Sequence, residues 1–230
     1  MKLRYFTMSF RKLKPLFFLV SFLLSVGITT PMTAQGKTII GKRATHKKSH
    51  NTRNKPKAQP QKANTKNLAE QITRGKTTDA EKAKSIFTWI ATTIEYDNEL
   101  RLNRKLQKEI YTSEANVITQ ALRRKKALCG GYAFLFQQLC EDVGVKAEII
   151  HGFTVQGTEK KNTSGTPEHT WNAVFLDGQW QLLDITWAVS HGSLKNPQWF
   201  WYHTKPSDFI KTHLPQNKKW RLTQASYVTK

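Results

Sequence analysis

The chain has 230 residues, 37 Lys and Arg against 16 Asp and Glu, and two cysteines, enough polymer for one ordinary domain with a buried core plus accessory segments. Fifteen of the basic residues precede the first acidic one, Glu70, so the net charge of +21 falls to +6 over residues 70–230 and belongs mainly to the amino-terminal region. That region carries no interleaved aromatics to act as a stacking platform for bases, which argues against nucleic acid as its partner.

Lys2, Arg4, Arg11, Lys12 and Lys14 precede an apolar run from Leu16 to Val26, broken only by Ser21 and Ser25, and mostly small or polar residues follow to Gln35. This order reads as a secretory signal peptide over residues 1–34, with Ala34 the last residue removed. The uncharged stretch from Pro15 to Gly36 is also long enough for an uncleaved anchor. Either way the remainder is expected to be exported: secreted, periplasmic or held at the cell surface. Residues 35–67 are basic, with almost no large apolar side chain after Ile40, so they read as a disordered linker. Such a linker suits electrostatic attachment to an anionic cell-envelope polymer, or serves only as a soluble spacer. The folded domain is expected over residues 68–230.

Thr78 followed by Glu81 forms a capping-box signature, and Ala83, Ile86, Phe87, Ile90 and Ile94 keep one helical face, so a helix is predicted from about Asp79 to Ile94. Glu95, Tyr96 and Asp97 end it. Tyr96 is either a core or capping aromatic or part of a site wall. The polar stretch to Glu109 reads as loop or frayed helix, and Ser113 caps a short helix to about Leu122.

Cys129 opens the next helix, whose apolar positions include Ala133, Phe136 and Cys140. A helix N-terminus favours negative charge, and so favours the thiolate, the nucleophilic form of cysteine. Gly130 and Gly131 leave the sulfur uncrowded and let a substrate backbone approach, at a cost of roughly 1 kcal/mol each in helix propensity. Cys129 and Cys140 lie about 16 Å apart along one helix, too far for a disulfide, which needs Cα atoms within about 7 Å. Cys129 is therefore expected to be a free thiol.

Beyond Gly144 the period changes. Val145–Val155 is β-branched and reads as a strand, and residues 156–168 read as a polar loop. His169–Leu176 and Gln179–Trp187 read as two strands joined by Asp177-Gly178, a strong hairpin signal. A two-residue loop sets Leu176 opposite Gln179, Trp171 opposite Asp184, and His169 opposite Thr186. His169 and Asp184 then become diagonal neighbours on one sheet face, at roughly 7 Å between backbones. An aspartate among Trp171, Leu182 and Trp187 requires a partner, and the imidazole supplies one. The aromatic run Gln198–Tyr202, with Ile210, His213 and Trp220, is expected to cover the sheet or wall a cleft.

A cysteine at a helix N-terminus with a His-Asp pair on a hairpin makes up a nucleophilic site: thiolate, general base and acid, and the carboxylate that fixes the imidazole tautomer. No second Cys or His falls at ligand spacing from Cys129 or His169, so no metal is expected, and no organic cofactor.

The segments Trp89–Asp97, Leu128-Cys129-Gly130-Gly131-Tyr132-Ala133, His169–Val174 and Leu183–Trp187 resemble the transglutaminase-like superfamily, within the papain-like cysteine protease fold. Residues 202–215 and Trp220 are similar to its kyphoscoliosis peptidase branch. The resemblance spans residues 70–222, with Leu128 a mild departure from the usual small residue before the cysteine. It implies an α+β fold in which a central Cys-bearing helix packs on an antiparallel sheet. Its catalytic residues would be Cys129, His169 and Asp184, with Gly130, Tyr96 and Trp171 as candidates for substrate contact. The implied reaction is acyl transfer on a protein or peptide amide, ending in hydrolysis or in transfer to an amine. The alternative is a catalytically silent module of the same fold that binds peptide or glycan at the cell surface.

Overall fold

The computed structural model describes residues 64–155, 163 and 165–223. The expected leader over 1–34, and the expected linker as far as residue 63, lie outside the described residues.

The first element, α1 (Thr65–Ile72), begins within the last residues assigned to the linker because the Asn64 side chain accepts from the Asn67 N–H at 3.1 Å and Ala69 is buried. In α2 (Asp79–Thr93) the capping box forms: the Glu81 N–H donates to Thr78 Oγ1 at 3.2 Å, and the Thr78 N–H donates to Glu81 Oε2 at 3.1 Å. Its buried face is Ala83, Ile86, Phe87, Ile90 and Ala91.

The short β1 (Glu95–Tyr96) leads into a stretch expected as loop or frayed helix, which is instead two short helices, α3 (Asn98–Leu102) and α4 (Arg104–Ile110). Both are started by side-chain caps. Asp97 accepts from the Leu100 N–H at 2.9 Å and Asn103 from the Leu106 N–H at 3.0 Å. Ser113 caps α5 (Glu114–Arg124) as predicted, and Arg124 in its last turn grips the buried Asp97 carboxylate with Nε and Nη2 at 3.1 and 2.7 Å. Lys125 turns through a left-handed conformation (φ 54°) into β2 (Lys126–Ala127), which pairs in parallel with β1 and hands the chain to α6 (Cys129–Asp142).

After Gly144 (φ 78°) comes β3 (Ala147–Thr154), then β4 (His169–Leu176) and β5 (Gln179–Leu183). The chain continues through α7 (Ile185–Ser190), β6 (Tyr202–Thr204), α8 (Pro206–Phe209) and β7 (His213–Pro215). The five long-range strands form one antiparallel sheet in the order β6-β5-β4-β3-β7. The hairpin has the predicted register from Leu176–Gln179 to Asn172–Leu183, with positive φ at both loop residues, Asp177 and Gly178.

Two expectations about the hairpin need correction. Strand β5 stops at Leu183 rather than Trp187, because the Asp184 side chain accepts from the Trp187 N–H at 3.0 Å and starts α7 there. The β4–β5 register therefore ends at Asn172–Leu183, short of the expected His169–Thr186 pair, and the ladder partner of His169 is Gly152 on the other side, in β3.

The fold is α+β, with α6 packed centrally on the sheet: Tyr132, Leu135, Phe136, Leu139 and Cys140 share one core with Ile150, Trp171, Ala173 and Val174. Strand β4 is sandwiched, so His169 through Val174 are all buried and the usual in–out alternation is lost. The late aromatic run divides, with Trp201 and Trp220 buried and Trp199 and Phe200 exposed.

Candidate active site

Cys129 owes its position to the two short strands. The Asp97 N–H donates to the Ala127 carbonyl at 2.9 Å, which fixes β2, and Leu128 is the extended N-cap of α6. Leu128 makes no side-chain cap bond, so the first-turn N–H groups of α6 are not taken up by a cap, and the first helical bond is Tyr132 N–H to Leu128 O at 3.1 Å. The helix start is crowded. A Cβ on Gly131 would lie 2.9 Å from the Ala127 Cβ, and one on Gly130 would lie 3.2 Å from the Tyr111 ring. Cys129 is half-buried and Cys140 buried, both as free thiols; burial pushes the Cys140 thiol far up its titration range.

His169, at the start of β4, sets its ring against both other candidates. Its Nε2 is 2.6 Å from Asp184 Oδ2, and the Cys129 sulfur lies near enough to help hold the ring in its charged form. The structure thus brings Cys129, His169 and Asp184 into one neighbourhood, reached by a hairpin register and a helix cap rather than by two facing strands.

Asp184 has a further partner that sequence reasoning left in the aromatic cluster. His213 Nε2, delivered by β7, lies 3.0 Å from the same Oδ2, and both Asp184 and His213 are 0% exposed. Burial alone would raise the Asp184 carboxyl, but His169 and then His213 overcome it and hold the group below its ordinary value. Burial alone would lower His169, but the charge and hydrogen bond of Asp184, with the Cys129 sulfur adding, carry it above its ordinary value. For His213 the balance goes the other way: burial dominates and lowers it, assisted by the neighbouring His169 charge. Two imidazoles therefore share one carboxylate, and their surroundings push them in opposite directions: His169 toward its charged form and His213 toward its neutral one.

His213 adds a nitrogen that spacing from Cys129 and His169 did not reveal. His169, Asp184 and His213 offer ligand atoms within 4.8 Å of one another. Two of these contacts, however, are hydrogen-bond lengths that converge on a single oxygen. A divalent ion would need each ligand atom about 2.0–2.2 Å from a common centre, so the cluster as arranged is a hydrogen-bonded network.

The remaining candidates fall in different places. Tyr96 on β1 is half-buried close to the thiol: burial, and then the Cys129 charge, raise its hydroxyl. Gly130 is buried beneath Tyr111. Trp171 is only 1% exposed and packs between Phe209 and His213, with ring centroids at 5.9 and 5.1 Å, so it supports the imidazoles and is not a surface for substrate. Tyr111, not foreseen, is partly exposed beside Cys129, with its ring against Gly130. No sequence signal marked it, because it lies in a polar stretch with no periodic pattern.

A profile of the transglutaminase-like superfamily matches residues 66–185 of this chain. The kyphoscoliosis peptidase of Mus musculus is 34% identical over 152 residues, which cover 63% of this chain and 22% of that protein. The Homo sapiens kyphoscoliosis peptidase is 34% identical over 153 residues, again 63% of this chain and 22% of that protein. The chain thus spans about a fifth of the length of these relatives. A solved structure of a TGase has a TM-score of 0.38 at 22% identity, covering 54% of this chain and 30% of that one.

Proposed function

The chain belongs to the transglutaminase-like superfamily, and from that membership we propose that it is an exported, thiol-dependent acyl-transfer enzyme acting on protein or peptide amide bonds. The observation that carries this reading is the imidazole set between a carboxylate and a thiol: His169 is bonded to Asp184 through Nε2 at 2.6 Å, and Asp184 and then the Cys129 sulfur favour its protonated form.

In the proposed reaction His169 Nδ1 holds the Cys129 proton, so the sulfur attacks as a thiolate. An S–C bond forms at the substrate carbonyl while the C=O electrons move onto oxygen. That oxygen is met by the Cys129 N–H at the helix start and by the nearby Tyr96 hydroxyl. As the carbonyl re-forms, the C–N bond breaks and His169 returns its proton to the leaving amine. A thioester on Cys129 remains. Water or a second amine, deprotonated by His169, then attacks this ester and releases the acid or a new amide, with the thiolate regenerated. Asp184 keeps the proton on Nε2 and stabilises the imidazolium throughout. The substrate is a protein or peptide, and the basic residues before position 64 tether the enzyme to an anionic envelope polymer.

The test is alkylation of native protein with iodoacetamide at neutral pH. Cys129 should react far faster than a thiol in unfolded chain, and His169→Ala should remove the excess. A rate no higher than that of the unfolded thiol would overturn the reading in favour of a non-catalytic binding module.

A further inference from the structure

We propose that His213 is a positioning residue that acts as a neutral hydrogen-bond donor behind the proposed triad, locking the Asp184 carboxylate so that it can aim His169 at Cys129. This rests on the acyl-transfer reading for its functional meaning, but its geometry stands independently. The matched family region ends at residue 185 and does not include it.

Asp184 Oδ1 accepts from the Trp187 N–H at 3.0 Å, and Oδ2 accepts from His169 at 2.6 Å and from His213 at 3.0 Å. With donors on both oxygens, rotation of the carboxylate would break at least two bonds at once, and no water is at hand to replace them, since Asp184 is fully buried. Without His213 the group would keep only the helix cap and the bond to His169, the one bond that catalysis needs to hold in a fixed direction.

The His213 ring is itself fixed. Phe209 and Trp187 lie at ring-centroid distances of 4.1 and 4.5 Å, with Trp171 and Trp201 at 5.1 and 5.3 Å. A nitrogen facing a carboxylate at 3.0 Å must carry the proton, so Nε2 is the N–H and Nδ1 the acceptor. Thr212 completes the set. Its Oγ1 is 2.8 Å from His213 Nδ1 against 3.3 Å from the Phe209 carbonyl, so the hydroxyl donates to the ring and holds that tautomer. The line of donation runs from Thr212 through His213 to Asp184, where it meets the His169 N–H from the other side. A dipole suits this place better than a second charge, because burial and the His169 imidazolium both oppose protonation of His213.

Three forms of the full chain test the proposal: wild type, His213→Phe, which fills the aromatic cage without a donor, and His213→Gln, whose amide nitrogen reaches the Nε2 position. In wild type, 15N spectra should report His213 as the Nε2–H tautomer and a far-downfield His169 Nε2–H proton. In His213→Phe that proton should shift upfield or exchange-broaden, and Cys129 alkylation should slow by about 10–100-fold, by analogy with losing the hydrogen bond behind a metal-bound histidine. His213→Gln should restore most of both signals. A wild-type Nδ1–H tautomer would overturn the proposal, as would a folded His213→Phe protein with an unchanged His169 proton, or equal losses in the Phe and Gln variants. If His213→Phe fails to fold, the wild-type tautomer and the Gln variant decide. Wild-type Cys129 no more reactive than an unfolded thiol would sink the acyl-transfer reading alone, while the two imidazole signals would still judge His213.

Discussion

Asn172 Nδ2 donates to the Ala133 carbonyl at 3.1 Å, a buried bond that ties the strand carrying His169 to the helix that begins at Cys129. The same nitrogen reaches the Glu148 carbonyl on the neighbouring strand at 3.2 Å. One amide thus sets the spacing between the two elements whose side chains must meet. Asn172→Ala should destabilise the domain by about 1–3 kcal/mol, as expected for lost buried hydrogen bonds. It should also slow Cys129 alkylation more than a comparably destabilising change remote from α6 and β4. Paired urea melts and alkylation rates distinguish the two effects, and loss of stability with full thiol reactivity would mean the bond does not set the spacing.

Asp184→Asn removes the charge that stabilises the His169 imidazolium and sets an NH2 group against N–H donors in either orientation, the two imidazoles on one side or the Trp187 N–H on the other. Activity on a peptide amide should fall by several orders of magnitude, as in the matching change of a serine triad, where it is about 10⁴. Because Asp184 also caps α7 and accepts three hydrogen bonds, stability should fall as well, by about 2–3 kcal/mol. That is comparable to opening a cavity with Leu182→Ala, about 2–5 kcal/mol. Calorimetry on both variants makes the comparison, and Asp184→Asn protein with wild-type turnover would remove the carboxylate from the mechanism.

The two shifted histidines predict a peaked dependence of stability on pH. His169 is raised to about 10, so its contribution is complete below its unfolded value of about 6.5 and is lost as pH rises through the folded value. Asp184 is lowered, so its contribution is present above about 3.9 and lost as pH falls through its folded value. His213 is also lowered; below about 6.5 the unfolded chain gains its proton more readily than the fold does, so stability again declines on acidification. Together these place the maximum at about pH 6–7, with a decline toward pH 10 that should disappear in His169→Phe. Chemical denaturation across that range measures it, and an identical alkaline limb in the variant would refute the assignment.

Gly152, opposite His169 on β3, lies under the Trp171 ring and against the backbone of Leu214 and Pro215. A Cβ there meets two backbone atoms that cannot give way without moving β7. Gly152→Ala should therefore cost at least the about 1–3 kcal/mol typical of overpacking and should displace His213 from Asp184. Gly178→Ala, in open space at φ 79°, gives a control in which only backbone strain acts. Equal stability of the two variants would show that β7 adjusts freely.

The hairpin was legible in the sequence because Asp177-Gly178 permits one short loop, and one short loop permits one register. The helix that starts at Cys129 was legible from its apolar spacing. Asp184 illustrates where such reasoning stops: Ile185, Thr186 and Trp187 favour strand by composition, and only the cap bond from the Trp187 N–H turns the chain into a helix there. Helices α3 and α4 were hidden by polar composition, although Asp97 and Asn103 stand where caps belong. The full burial of Trp171 was not legible, because alternation assigns faces only to a strand with one wet side, and β4 has none. His213 carried no local signal: it arrives through a non-sequential pairing of β7 with β3, and no turn between His169 and His213 sets their relative position.

That pairing also orders events during synthesis. The seat for β7 beside β3 exists as soon as β3, β4 and β5 have come together, yet its occupant leaves the ribosome only after β6 and α8. In the interval the nascent domain holds its cysteine, first histidine and aspartate while β3 presents an unpaired edge, the surface through which incomplete sheets join one another. Closing that edge and seating the second imidazole are one event. Chains ending at Ile210 should therefore self-associate, visible as light scattering, where chains extended through Trp220 stay dispersed. A β7 made only to finish the sheet would need no histidine; here the last strand added also brings the last polar group of the site.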